Sequence, residues 1–118
     1  MPINELLIEE FDREMSNTRK VLERVPEEKW EWRPHDTFDR AVEDTRKALA
    51  AVTDEQLRQP WKLTNNGQPI FTLPRYHALR AMCFNHVIHH RAQLTIYFRL
   101  LGVPVPGLYG PSADETVF

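Results

Sequence analysis

Cysteine is nearly absent from this chain of 118 residues: Cys83 stands alone, which excludes an internal disulfide and agrees with a reducing compartment. Repeats and low-complexity tracts are absent too. No apolar run approaches the roughly 18 residues needed to span a bilayer. The amino terminus lacks the charged-then-apolar pattern of a secretory signal. The expectation is therefore a cytoplasmic protein with no membrane partner. Nor does one sign of charge dominate. With 15 basic and 17 acidic residues the formal charge is -2, so no positive field gathers nucleic acid, and no nucleic-acid partner is expected.

What is present is material for one core. A 42% apolar content over this length suits a single domain spanning residues 1–118. The fold class expected from periodicity is all-α, with three main helices and one short β-hairpin. Ile3, Leu7, Phe11, Met15, Thr18, Leu22 and Val25 follow the three-and-four spacing of an amphipathic helix, which Pro26 ends. Residues 27–37 carry Trp30, Trp32 and Pro34 and read as a turn whose indoles cover one end of the core. Phe38, Val42, Thr45, Leu49 and Val52 make a second stripe, and Thr53 looks like the cap of one more helical turn. Beyond Pro60 the period changes. Two short strands flank Asn65-Asn66-Gly67, a turn in which glycine accepts positive φ. Pro74 then opens a long helix that runs to about Leu101 and stops at Gly102.

That last helix carries Asn85-His86-Val87-Ile88-His89-His90. Residues i and i+4 lie about 6 Å apart on one helical face, so His86 and His90 can converge on one Zn or Ni ion. Leu79, Cys83, His86, His90, Leu94 (or Gln93), Tyr97 and Leu101 recur at three and four, which places both histidines on the stripe expected to face the core. Spacing leaves two readings open: a metal site, or two core histidines bonded to carbonyls or carboxylates. Cys83 reads as a small core residue and His89 as a flanking group. No Glu lies between His86 and His90, so zincin chemistry is excluded.

Asn85-His86-Val87-Ile88-His89-His90-Arg91-Ala92-Gln93-Leu94, with Tyr97, Leu100-Leu101-Gly102-Val103-Pro104-Val105-Pro106 and Tyr109-Gly110-Pro111-Ser112-Ala113-Asp114-Glu115, closely resembles the carboxyl-terminal half of the DinB-like proteins. Residues 6–25 with Trp32-Arg33-Pro34-His35 resemble the first helix and turn of that family, and residues 38–73 its third helix and hairpin. The resemblance implies an up-down-down-up four-helix bundle, often a homodimer. It also implies a divalent metal, usually zinc or nickel, held by three histidines. Two of these match His86 and His90; the third belongs to the family's second helix. Relatives with assigned activity are thiol S-transferases and isomerases, and others are described as metal-dependent hydrolases. A small-molecule substrate and a low-molecular-weight thiol are thus the implied partners.

The chain departs from the family near residues 37/38, where the second helix, its histidine and a crossover are missing. An absent helix covering about 500 Å² of apolar surface would uncover about 12 kcal/mol of burial. Three helices closing on themselves, a second copy over the open face, or a native segment lacking from this sequence would each answer that. His35 and His77 are poor third ligands, and Glu10 and Glu14 are expected in solvent. A symmetric dimer could pool two His86/His90 pairs. Two functions follow: a metal-dependent thiol transferase or hydrolase, or a non-catalytic helical dimerisation module with structural histidines. The tail, residues 108–115, reads as a strap over the bundle.

Overall fold

The structure, a computed structural model, describes residues 1–26 and 34–115. The turn proposed around Trp30 and Trp32, and the side chain of His35, lie outside the described residues. Helix α1 spans Ile3–Glu23. It starts where the Ile3 N–H donates to Asp54 Oδ1 at 2.8 Å, and it ends one turn before Pro26. Leu7, Phe11 and Met15 are buried as their spacing predicts. Past Met15 the buried positions are Asn17 and Val21 rather than Thr18 and Leu22. A helix with neighbours on two sides buries two stripes, so the single-stripe reading fails there.

Helix α2 spans Pro34–Ala51 and begins four residues ahead of the expected Phe38. Proline suits a first helical turn, where its missing N–H has no partner to lose. It runs antiparallel to α1: Arg19 pairs with Asp39 at 2.8 Å, and Arg46 Nε donates to both carboxylate oxygens of Asp12 at 2.9 and 3.1 Å. Asn4 Nδ2 reaches the carbonyls of Leu49 and Ala50 at 3.3 Å. These exposed ion pairs add little stability; with the Asn4 hydrogen bonds, the rungs at 4, 12 and 19 record the register. The apolar contact is made by Leu49, with Phe38, Val42 and Val52 beside it.

A short helix α3, Asp54–Arg58, is closed by a capping box in which Thr53 and Gln56 exchange side-chain and backbone bonds. It buries Leu57. Strands β1 (Pro60–Asn65) and β2 (Gln68–Pro74) pair antiparallel. Asn66 and Gly67 take φ of 50° and 77°, as a two-residue primed turn requires. The register slips between Leu63 and Thr64, where Thr64 faces Pro69. Proline has no N–H for the ladder, and a bulge accommodates it. The expected hairpin is present at its expected place.

The long carboxyl-terminal helix has three parts: α4 (Arg75–Ala78), a π-helical turn (Leu79–Phe84) and α5 (Asn85–Leu101). Gly102, at φ 69°, stops it in the left-handed region. It runs parallel to α1, with Arg80 bonded to Glu10 and Arg91 to Glu14, so the three long helices run up, down, up. The core lies among Leu7, Phe11, Met15, Leu49, Leu57 and Phe84, with the Phe11 and Phe84 rings 6.1 Å apart. The fold is thus helical with one small sheet, as expected, but it is open. Its Cα radius of gyration is 17.0 Å, against roughly 13.5 Å for a compact domain of this length.

One ionic cluster joins α1, α5 and the tail. Contrary to the expectation that Glu14 is solvated, it is 4% exposed, and Arg91 is 5% exposed. Arg91 Nη2 donates to Glu14 Oε2 at 2.9 Å, and Nη1 donates to the Glu14 carbonyl at 3.0 Å and to Thr18 Oγ1 at 3.3 Å. Tyr109 OH donates to Glu14 Oε2 at 2.6 Å, and its oxygen accepts from Arg91. Most of the Tyr109 ring is open to solvent, but burial at its hydroxyl and the Glu14 bond raise its pKa above the ordinary tyrosine value. The tail is the strap the sequence suggested. Asp114 binds Arg99 and accepts the Val105 N–H at 2.8 Å, while Glu115 accepts the Ser112 N–H at 3.0 Å. A Cβ on Gly107 would sit 2.2 Å from Glu115 Oε1 and 2.3 Å from the Gly110 carbonyl oxygen, so this turn closes only around glycine.

Removing one side of the buried pair leaves the other charge stranded, at about 3–5 kcal/mol. Arg91→Ala and Glu14→Ala should each lower urea-unfolding stability by that amount, while Arg91→Met with Glu14→Leu recovers much of it. A loss under about 1 kcal/mol for the single variants would show that the pair is not closed in solution.

The carboxyls of Asp114 and Glu115 are held below their ordinary range, chiefly by the backbone N–H bonds from Val105 and Ser112. A depressed carboxylate stabilises the docked tail above its unfolded pKa and loses that contribution as pH falls through the folded value. The strap should therefore release only below about pH 4, followed as a change in the Val105 amide resonance. Release between pH 5 and 7 would contradict this assignment.

Candidate functional site

The histidines are where the sequence and the structure part. His86, His90 and Cys83 are all exposed, and Tyr97 and Leu101 are each 61% exposed. Of the expected core stripe, Leu79 packs against the core and Leu94 is partly covered, while Cys83, His86, His90, Tyr97 and Leu101 form a surface stripe, and Cys83 is not a core residue. Buried instead are Phe84, Arg91 and Phe98, seven residues apart, with Val87 and Leu94 partly covered between them. The physical reason is twofold. The π turn widens the helix just before Asn85, so a phase read from Leu79 does not carry into α5. And α5 is apolar on more than one side, so its composition does not say which side is inside.

Although exposed, the two imidazoles converge. His86 Nε2 and His90 Nε2 lie 2.7 Å apart, and the ring centroids are 4.5 Å apart. His90 Nδ1 meets Gln93 Oε1 at 2.8 Å. With the amide oxygen accepting, the His90 tautomer protonated on Nδ1 turns its Nε2 lone pair toward His86. In that tautomer the His90 Nε2 can accept a hydrogen bond from His86 Nε2–H. A shift of the His86 proton to Nδ1 would present two lone pairs to one point, which is the arrangement a metal-bound histidine pair needs. Gln93, which the sequence reading offered only as the alternative to Leu94 on the stripe, is the residue that contacts the pair; its signal was the i+3 spacing from His90.

The pair lines one wall of a groove of about 490 Å³ between α1 and α5, with Thr18, Leu22, Met82 and Cys83 along it. Met82 and Cys83 also border a second apolar groove, of about 460 Å³, that continues toward Ala48 and Val52 of α2. His89 stands edge-on to His90 at 5.1 Å. His77 lies against Tyr76, and Glu10 is held by Arg80. Among the described residues no group of three or more His, Cys, Asp or Glu is placed to hold a metal. The pair thus fits a divalent cation in donor type and orientation but not in number.

The DinB family model matches residues 35–116, which includes α5, both histidines and the strap. The chain belongs to the DinB family. A 38-residue stretch is 42% identical to the uncharacterized protein YrdA of Bacillus subtilis (strain 168), covering 32% of this chain and 23% of that relative. The chain thus matches only about a quarter of that relative's length. No solved structure matches. No helix among the described residues is long and apolar enough to cross a membrane.

Because both histidines of this DinB chain are exposed and outside the core, neither supports the fold. His86→Ala with His90→Ala should change unfolding stability by no more than about 0.5 kcal/mol, measured by urea denaturation in metal-free buffer. A loss above about 2 kcal/mol would instead give the pair a structural role.

Proposed function

We propose that this DinB protein binds a divalent metal, zinc or nickel, through His86 and His90. The observation that carries the reading is the convergence of their Nε2 atoms, with Gln93 Oε1 held against the His90 Nδ1. Imidazole nitrogen suits both metals. A bound divalent ion supplies Lewis acidity toward a thiol or a water, which is the chemistry of a thiol transferase or a hydrolase. The residues of this chain provide the rest of such a site: two neutral donors, a hydrogen bond that aims one of them, and an apolar groove beside them wide enough for a small molecule and a low-molecular-weight thiol. With two donors the site is incomplete within the described residues, so the reading extends to metal binding and the groove and assigns no catalytic residue.

A further helix, as in the four-helix bundle that the family resemblance implies, would also account for the open groove that His86, His90 and Leu94 of α5 line. A homodimer is a second way to cover it, and the exposed apolar side of α5 favours that reading.

Titration calorimetry of the chelator-treated chain with zinc and with nickel tests the proposal. Binding should be lost on His86→Ala or His90→Ala, and Gln93→Ala should weaken it about 10- to 100-fold by freeing the His90 ring. Equal metal affinity in the wild type and the double histidine variant would remove the proposal.

A further inference from the structure

Helix α5 exposes a strip that carries no charge. From His86 onward, His86, His90, Gln93, Tyr97, Leu100 and Leu101 fall within about 100° of azimuth, centred about 120° from the buried Phe84, Arg91 and Phe98. The only Lys, Arg, Asp or Glu residues of α5 are Arg91 and Arg99. Arg91 points into the core, and Arg99 is turned off the strip to Asp114. Leu100 is 76% exposed and Ile96, at the strip's edge, 60%. Solvent faces of helices are ordinarily charged; this one is apolar at one end and imidazole at the other.

We propose that two copies of this chain meet through this strip and that one metal ion is shared between their His86/His90 pairs. The inference rests on the metal-binding reading above and adds what completes the site. Each chain brings two converging donors, and two chains bring four, the number that a closed tetrahedral zinc site takes. A tetrahedron contains two-fold axes, so one ion on the dyad of a symmetric dimer sees two symmetry-related pairs of imidazoles, four donors in all. In such a site the two nitrogens of one chain stand about 3.4 Å apart for metal–nitrogen bonds of about 2.1 Å. The present 2.7 Å reaches that by a small opening of two exposed side chains. A face that holds no charge also meets its own copy without like-charge repulsion, and this strip holds none. Antiparallel α5 helices crossing near residue 88 place the four histidines at the crossing, and Tyr97, Leu100 and Leu101 then cover the flank of the partner.

The test uses the full chain, stripped by chelator and reloaded with zinc alone, in analytical ultracentrifugation and native mass spectrometry. One zinc per two chains is expected, with dimer dissociation at least tenfold tighter in zinc than in chelator. His86→Ala should abolish that difference. Leu100→Lys and Tyr97→Lys, neither of which removes a donor, should each weaken zinc binding at least tenfold, because burying the strip and completing the site are one event. One zinc held by a monomer would overturn the shared site while leaving metal binding intact. No zinc bound at all would overturn both. A dimer of equal strength with and without zinc, or lysine variants with unchanged zinc affinity, would overturn the shared site alone.

Discussion

The buried pair of Arg91 and Glu14 sets the rotation of α5 against α1, and most of what distinguishes this molecule depends on that rotation. A guanidinium presents its donors in one plane, and here they are committed to the Glu14 carboxylate, the Glu14 carbonyl, Thr18 and Tyr109. Rolling α5 by a single residue would pull the plane away from all of them. With Arg91 fixed inward, the residues about 120° around the helix are fixed outward, and these are His86, His90 and Tyr97. An ion pair removed from water adds little net stability compared with apolar packing, because desolvation offsets most of the Coulomb attraction. Its contribution here is to choose one rotation for a helix whose apolar surface would accept more than one.

The same cluster brings the carboxyl-terminal strap into the fold. Tyr109 reaches the Glu14 carboxylate from 95 residues away in sequence, and Asp114 and Glu115 then close the turns on either side of Ser112. The strap is thus held by polar bonds at named atoms rather than by a large apolar contact. This explains why a segment without secondary structure follows one path across α5.

The features legible in the sequence are those decided locally. The Asn-Gly turn, the Thr53 cap, the Gly102 stop and the first half of α1 follow from the conformational preferences of a few adjacent residues, and they stand where the sequence put them. The features not legible are those decided by a partner distant in sequence. Glu14 reads as a surface carboxylate until Arg91, 77 positions later, is known to face it. Two spacings coexist in the last helix, one through Cys83, His86 and His90 and the other through Phe84, Arg91 and Phe98. Both are apolar enough to be a core stripe. The strict seven-residue spacing of the second was a usable signal, because it is the repeat that keeps one seam against a neighbour over several turns. The π turn was not readable, since nothing in Leu79–Phe84 breaks the pattern of an ordinary α-helix.

An outward-facing pair changes the physics of any metal it holds. Two imidazoles in open water compete with solvent for the remaining coordination positions, and the low-dielectric surroundings that strengthen metal–ligand electrostatics are missing. The apolar residues beside the pair are in the complementary position: Tyr97, Leu100 and Leu101 gain only when water is removed from them. Both deficits lie on one side of one helix, so a single covering surface that brings nitrogen donors at one end and apolar contact at the other relieves them together. Neither the donor pair nor the apolar end is sufficient alone, and their placement on a common strip couples metal affinity to the burial of α5.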